Sequence, residues 1–266
     1  MADSERVSAL AADLAGELKR LQSEVRAHPE DIKLRTYLFQ LLVVNGEWQR
    51  ALNQLQVCAQ LSAGAIPMAQ TYREAIRCEV FRGEVFAGTR TPQILGEPPA
   101  WMGLLVEALE KFAKGHVAAA EDLRAQALDQ ALATPGTIDG KPFEWIADAD
   151  SRLGPVCEAI IDGKYYWVPF ERLVQVKIEA PTDLRDFVWT AAQLKLSTDA
   201  VQLALLPVRY PGTEASDKEA LRLSRMTAWH EAGPDTFVGL GQRMWATDAG
   251  EFSLLDTREI KLGAAA

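Results

Sequence analysis

The spacing of apolar residues divides the chain into a helical first half and a strand-rich second half. From Leu10 to Ala27 apolar residues recur every three or four positions, which predicts an amphipathic helix. His28-Pro29 ends it, because the residue before a proline is disfavoured in the helical region. The second predicted helix, Glu30 to Asn45, is apolar almost all round, as is typical of a helix enclosed by neighbours. A third helix is predicted from Trp48 to Leu61.

Two turns in the first half share the spacing of a tetratricopeptide repeat, in which a glycine closes one helix and small residues follow on the next. The first set is Gly46, Trp48, Ala51, Leu55 and Cys58, and the second is Gly115, Val117, Ala120, Arg124 and Ala127. Their offset of 69 residues is close to two repeat periods of ~34 residues. Gly83 is the candidate turn of the repeat between them. The pattern predicts a tetratricopeptide-like helical array.

The second half alternates with a period of two. Val174, Val176 and Ile178 are predicted to face one side of a strand that spans 173–179. Asp162-Gly163 is a type I′ hairpin signal. Other predicted elements are a three-residue hairpin loop at Asp248-Ala249-Gly250, a strand over 203–209 and a short helix around 218–225. About six short strands, together with five of the seven tryptophans, predict a bent sheet or a small barrel.

These patterns together predict an α+β protein. Ala133 to Gly136, with the sequence ATPG, separates the region of helical spacing from the region with a period of two. We therefore predict a tetratricopeptide-like α-helical domain over residues 1–134 and a β-rich domain over residues 135–266.

Charge and composition narrow the classes of partner. The net charge is −9 and no basic face is visible, so we expect no nucleic-acid binding. No apolar run is long enough to span a bilayer, and the N-terminus lacks the pattern of a signal peptide. The three scattered cysteines form no metal-ligand pattern, and Cys58 and Cys78 fall on apolar helical positions. We expect a cytoplasmic protein without membrane contact.

The acidic segment around residue 145 is the strongest candidate for chemistry. Glu144, Asp148 and Asp150 are the candidate residues of a metal-assisted hydrolase. An Asp-Ala-Asp without a nearby His or Cys is more typical of a turn. None of the three histidines lies in a catalytic or metal motif, and no phosphate-binding or nucleophile motif is present. We expect a protein without enzymatic activity, cofactor or metal.

Three arginines in the second half, Arg152, Arg172 and Arg209, have two interpretations. They are suited to clamp a carboxylate of a ligand with paired hydrogen bonds. They are equally suited to pair with the many acids of the same region. The pattern leaves both alternatives open.

Six blocks spread over most of the chain resemble one family. They are residues 137–155 (TIDGKPFEWIADADSRLGP), 36–52 (TYLFQLLVVNGEWQRAL), 72–88 (YREAIRCEVFRGEVFAG), 96–101 (GEPPAW), 163–173 (GKYYWVPFERL) and 209–217 (RYPGTEASD). The sequence is similar to the ImpE/TagJ (SciE) family of accessory proteins of bacterial type VI secretion systems. The resemblance implies an adaptor that binds the N-terminal helix of the small subunit of the contractile sheath. It also implies contact with the AAA+ ATPase that disassembles the contracted sheath.

Two surfaces are candidates for partner binding. One is the concave face of the helical array, with Lys33, Thr36, Gln40 and Val43. The other is the seam between the two predicted domains, with Trp101, Phe143 and Trp145. We favour the seam, because ligand sites prefer domain interfaces. The alternative function is a general tetratricopeptide-like chaperone adaptor, which would bind unrelated amphipathic helices equally well.

Overall fold

The computed structural model of the protein describes residues 13–263 and confirms the α+β class. Most helices precede most strands along the chain. The helices are α1 (Leu14–Ala27), α2 (Ile32–Val44), α3 (Trp48–Leu61), α4 (Ile66–Phe86), α5 (Ala100–Ala113), α6 (Val117–Gln130) and α7 (Glu219–Arg222). The predicted first helix is confirmed from Leu14 onward, and its first turn at Leu10 lies outside the described residues.

Local signals explain where the helices begin and end. The side chain of Asp31 accepts hydrogen bonds from the backbone N–H groups of Lys33 and Leu34, which caps α2. Gly46 and Gly115 follow α2 and α5 with φ of 71° and 81°, a left-handed conformation that glycine adopts without steric cost. The small residues that follow each glycine are buried, as the repeat spacing requires. The assignment of these helix pairs to a tetratricopeptide-like array stays a prediction.

The prediction of a turn at Gly83 is wrong. Helix α4 runs through this position and ends at Phe86, and the left-handed glycine that follows it is Gly88, with φ of 69°. Gly83 is tolerated inside the helix because a single glycine costs only about 1 kcal/mol relative to alanine. Helix α4 therefore has 21 residues, and it is the longest described helix.

The strands form one large sheet and two small ones. They are β1 (Gln93–Ile94), β2 (Gly136–Ile138), β3 (Lys141–Phe143), β4 (Ile146–Asp148), β5 (Val156–Ile161), β6 (Lys164–Pro169), β7 (Leu173–Ile178), β8 (Trp189–Leu196), β9 (Val201–Pro207), β10 (Thr227–Gly233), β11 (Thr236–Gly241), β12 (Met244–Thr247), β13 (Gly250–Ser253) and β14 (Glu259–Leu262). The large sheet has the order β1-β6-β5-β9-β8-β7-β14-β2-β3, so it is open rather than a closed barrel. Strands β13-β12-β4 and β10-β11 form the small sheets.

The hairpin predictions have mixed outcomes. Asp162 and Gly163 join β5 to β6 with φ of 48° and 71°, which confirms a two-residue turn with positive φ at both positions. The loop between β12 and β13 has two residues rather than three, because Gly250 pairs with Thr247. The estimate of about six strands is wrong, since many strands have only two to four residues and show no measurable alternation.

Strand β7 departs from strict alternation at its start. Val176 and Ile178 are buried as predicted, whereas Val174 is exposed and its neighbour Leu173 is buried. The pairing of β7 with β8 shifts register between Leu173 and Gln175. This irregularity turns the side chain of Val174 away from the core.

Two apolar clusters cover opposite faces of the large sheet. The first joins residues of α1 to α6 to one face of the sheet, where Trp167 and Trp189 are fully buried. The second lies on the other face and includes Trp245. Strand β5 is buried along its whole length because alternate residues contribute to each cluster. The helices and the sheet thus share one core, and the division into two domains at residue 134 stays a prediction.

No helix in residues 13–263 is long and apolar enough to cross a membrane.

Gly136 and Gly103 give opposite expected effects on stability when each is replaced by alanine. A Cβ atom at Gly136 would lie 2.0 Å from the carbonyl oxygen of Lys261, so Gly136→Ala should lower the free energy of unfolding by about 1–3 kcal/mol. A Cβ atom at Gly103 in α5 would meet nothing within 4 Å, so Gly103→Ala should raise it by about 0.5–1 kcal/mol. Urea unfolding followed by tryptophan fluorescence measures both changes, and equal effects at the two positions would contradict the packing described here.

Candidate protein-binding site

Helix α4 is joined to the sheet by a buried ion pair. The guanidinium of Arg82 donates to both carboxylate oxygens of Glu158 on β5, at 2.6 and 2.8 Å. Arg82 also donates to Glu79 at 2.8 Å, and the indole N–H of Trp189 donates to the other oxygen of Glu79 at 2.9 Å. The side chains of Arg82 and Glu158 are 1% and 0% exposed. Planar paired hydrogen bonds of this kind fix both distance and orientation, so α4 has one position on the sheet.

A second buried arginine, Arg243, extends this network to Asp148. Arg243 donates to Asp148 at 2.7 and 2.9 Å and lies 3.3 Å from Glu158. Burial alone would raise the pKa of Glu158, but the guanidinium groups of Arg82 and Arg243 outweigh it and lower that pKa to about 2. Burial raises the pKa of Asp148 to about 6, although Arg243 acts in the opposite direction.

Two of the three acids of the hydrolase alternative, Asp148 and Asp150, accept hydrogen bonds within the protein. Asp150 accepts two hydrogen bonds from the side chain of Arg152 and one from the backbone N–H of Gly239. Asp148 and Asp150 are buried, whereas Glu144 is exposed. Among the described residues, no group of three or more His, Cys, Asp or Glu is placed to hold a metal ion.

The three arginines of the second half also form ion pairs or hydrogen bonds within the protein. Arg152 pairs with Asp150 at 2.6 Å. Arg209 is buried and donates to the backbone carbonyl groups of Val44 and Arg222 at 2.7 and 2.8 Å. Arg172 donates to the carbonyl of Glu97. The contacts of Arg209 with Val44 and of Arg172 with Glu97 join distant parts of the chain, whereas the pair of Arg152 and Asp150 is local.

The first half of α4 and the uncovered end of the sheet enclose an open groove of about 570 Å³. We name it the seam groove. Its walls come from α4, β5, β8 and β9 and from the segments that follow β5 and β7. Its lining residues are Gln70, Thr71, Glu74, Ile160, Asp162, Gly163, Glu179, Ala191, Ala192, Gln193, Leu203, Ala204 and Leu205.

The seam groove has an apolar floor and an acidic rim. Leu203 lies on the helix-facing side of β9, beyond the part that the helices cover, and is 74% exposed. Its neighbour on the same face, Leu205, pairs with Ala191 and Ile160. The rim carries Glu74, Asp162 and Glu179, and no Lys or Arg belongs to the lining residues. Glu74 forms an exposed ion pair with Arg77 outside this groove. The groove therefore suits an apolar segment that carries positive charge at its margins.

A second groove of about 730 Å³ lies between α3 and α4. Its apolar residues are Trp48, Leu52, Ile76, Val80 and Phe81. Its charged residues have both signs, with Glu47, Glu84, Arg50 and Arg77. We name it the helical groove, and its mixed charge distinguishes it from the seam groove.

The structure separates the residues predicted for the domain seam. Trp101 and Phe143 are buried in the two clusters on opposite faces of the sheet, and Trp145 is 41% exposed. These three side chains do not line one groove.

The residues predicted for the concave face also differ in exposure. Val43 and Gln40 are buried within α2, whereas Thr36 is half-buried and Lys33 is exposed. The assignment of all seven residues to partner contacts stays a prediction, and among them Lys33 and Trp145 have accessible side chains.

Residues of the seam groove were missed because sequence patterns do not show which part of a strand is left uncovered. Val201, Leu203 and Leu205 alternate with Ala204 and Leu206, so both faces of β9 are apolar. Such a strand predicts burial on both faces. The structure buries Leu206 at 0% exposure and leaves Leu203 open. An apolar strand that extends beyond the covering helices was the available signal, but it needs the topology to be recognised.

The lowered pKa of Glu158 gives an expected pH dependence. A carboxyl whose pKa is about 2 in the folded state, against 4.5 as its ordinary value, stabilises the fold above pH 4.5, and this stabilisation is lost as the pH falls toward 2. Glu158→Gln should lower the free energy of unfolding by about 3 kcal/mol at pH 7, and the difference from the parent protein should shrink below pH 4.5. Urea unfolding of both proteins between pH 3 and 7 measures this difference. A difference that is constant over this range would contradict the ion-pair interpretation.

Comparisons with known proteins agree with this architecture. The model of the family described as ImpE protein matches residues 140–261. The type VI secretion system accessory component TagJ of Pseudomonas aeruginosa is 51% identical over 243 residues, which cover 91% of this chain and 85% of TagJ. A crystal structure of a Vibrio parahaemolyticus protein has a TM-score of 0.87 at 22% identity and covers 98% of both chains, which shows a shared fold. By its identity to TagJ over nearly the whole length, this chain belongs to the ImpE/TagJ family.

Proposed function

We propose that this protein is a non-enzymatic adaptor of a bacterial type VI secretion system, acting in the cytoplasm. The observation that carries the proposal is the seam groove, an apolar floor with an acidic rim held open between α4 and the sheet. We infer the secretion system from the sequence identity to TagJ, an accessory component of a type VI secretion system. The internal pairing of Asp148 and Asp150 supports a role without catalysis.

The proposed ligand of the seam groove is the N-terminal helix of the small subunit of the contractile sheath. An amphipathic helix presents apolar residues at positions i, i+3, i+4 and i+7, which would cover Leu203, Leu205 and Ile160. Basic residues beside that stripe would face Glu74, Asp162 and Glu179. The docked helix would complete the layer that α4 begins on this face of the sheet.

The second part of the proposal is recruitment of the AAA+ ATPase that disassembles the contracted sheath. An adaptor needs a second surface that stays accessible when the first is occupied. The helical groove, on the α3 side of α4, offers such a surface, with exposed Val80 and charges of both signs. We therefore assign the sheath helix to the seam groove and the ATPase to the helical groove.

Replacement of Leu203 by aspartate tests the sheath-binding part of the proposal. Leu203→Asp places a charge on the apolar floor and should weaken binding of a synthetic peptide of the sheath helix at least about tenfold, a loss of about 1.4 kcal/mol. Leu132→Asp is the matched control, because Leu132 is 71% exposed, similar to the 74% of Leu203, and is not a lining residue of the groove. Isothermal titration calorimetry of both variants and the parent protein gives the three affinities, and a negative heat-capacity change would show burial of apolar surface.

A peptide with the same composition in scrambled order separates this function from the general chaperone adaptor. Binding of the native peptide alone supports a dedicated sheath adaptor, whereas equal binding of both peptides supports the general adaptor. Equal weakening by the two leucine variants, or no binding of the native peptide, would overturn the assignment of the sheath helix to the seam groove.

A further inference from the structure

A smaller cavity on α4 connects the seam groove to the helical groove. This bridging cavity has a volume of about 220 Å³ and is lined by α4 on one side and by β1, β6 and the turn before β6 on the other. It shares Glu74 and Gly163 with the seam groove and Arg77 and Phe81 with the helical groove. The three cavities therefore adjoin one another, in the order seam groove, bridging cavity and helical groove.

One ion pair connects the charges of the two grooves. The Nη1 atom of Arg77 donates to both carboxylate oxygens of Glu74 at 3.1 Å. Glu74 lines the seam groove, Arg77 lines the helical groove, and both line the bridging cavity. Among the described residues, no other ion pair joins a lining residue of one groove to a lining residue of the other. The remaining ion pairs of the helical groove are Glu47 with Arg50 and Glu84 with Arg90.

The turn between β5 and β6 supports the side chain of Glu74. A Cβ atom at Gly163 would lie 3.2 Å from both Cβ and Cγ of Glu74, so the stem of Glu74 packs on the backbone of this turn. The side chain of Glu74 is still 39% exposed, and that of Arg77 is 69% exposed. The carboxylate is therefore held at the boundary of the seam groove within reach of a ligand, and Arg77 has room to turn toward the helical groove.

A basic residue of a ligand in the seam groove competes with Arg77 for the carboxylate of Glu74. Once the ligand pairs with Glu74, Arg77 loses the carboxylate to which it donates. The bridging cavity then carries the positive charges of Arg77 and Lys164 without a compensating acid, because Glu74 is the one acid among its described lining residues. A carboxylate of a second ligand, at the end of the helical groove next to this cavity, would restore the balance of charge.

We infer that Arg77 is the residue of the helical groove that recognises a carboxylate of the second ligand, and that it does so most strongly when a basic segment in the seam groove occupies Glu74. This inference rests on the proposed function, since it takes the sheath helix and the ATPase as the two ligands. It adds the chemistry of the ATPase segment, which carries an acidic residue at this end of the groove. It also adds a coupling between the two binding events.

Titration of the ATPase with and without the sheath peptide measures this coupling. Isothermal titration calorimetry of the purified ATPase with the parent protein alone, and with the parent protein saturated by the synthetic sheath peptide, gives two dissociation constants. Because Glu74 and Arg77 are exposed, we expect the second constant to be about two- to fivefold lower. The ATPase should strengthen peptide binding by the same factor, since coupling free energies are reciprocal. The ratio should approach one at high salt, which screens exposed charges.

Two variants of the ion pair separate its effect from a change of shape. Glu74→Gln releases Arg77 permanently, so the ATPase should bind this variant without peptide as tightly as it binds the peptide-saturated parent protein. Arg77→Gln should bind the ATPase about two- to fivefold more weakly than the peptide-saturated parent protein. In both variants the ratio of the two constants should be near one. Arg73→Gln is the matched control and should keep the parent ratio, because Arg73 is an exposed arginine one turn earlier on α4 and lines none of the three cavities.

The outcomes distinguish a failure of this inference from a failure of the proposed function. Binding of both ligands with a ratio of one in the parent protein, or a ratio that persists in Glu74→Gln or Arg77→Gln, would overturn the inference and leave the proposed function in place. A peptide that weakens ATPase binding would also overturn it, because the two ligands would then collide in the bridging cavity. Absence of binding by the peptide or by the ATPase would contradict the proposed function itself, and the inference with it.

Discussion

The contact on which the rest of the structure depends is the ion pair of Arg82 and Glu158. It joins the longest described helix to a strand that is buried on both faces, and it does so with two short parallel hydrogen bonds. Removal of two charges from water is costly, so a buried pair of this kind adds little net stability but strongly penalises any arrangement that leaves one charge alone. Its main effect is therefore to exclude other positions of α4 on the sheet. The walls of the seam groove and the helical groove both include α4, so this one contact determines the shape of both.

The architecture follows from local patterns to a considerable extent. Helices α2 and α3 were predictable because Gly46 ends one and apolar spacing continues in the next, and the turn at Asp162-Gly163 was predictable because few residue pairs adopt positive φ twice. The irregular start of β7 and the short strands were not predictable, since they depend on pairing partners distant in sequence. Gly83 shows the same limit of local patterns. Glycine ends α2 and α5, whereas Gly83 is tolerated inside α4.

The candidate site was less predictable than the fold. Trp101, Phe143 and Val43 are apolar residues of a kind also found at binding surfaces. Large apolar residues lie more often in cores, and the structure buries all three. Leu203 shows the opposite case, because its neighbours along β9 indicate a buried strand while the helices leave the start of this strand uncovered. Exposure depends on which elements lie next to each other, and a pattern along one strand contains no information on that point.

The long separation of Arg82 and Glu158 along the chain has a consequence for synthesis on the ribosome. The two residues are 76 positions apart, so at about 5–20 residues per second Arg82 precedes its partner by roughly 4–15 s. During this interval α1 to α4 have been made, but the sheet face that completes their apolar cluster has not. The nascent helices must therefore wait with a guanidinium that has Glu79 but not yet Glu158 as a partner, and with open apolar surface of the type that chaperones bind. Folding of the first half is thus completed by the arrival of β5 rather than by the helices themselves.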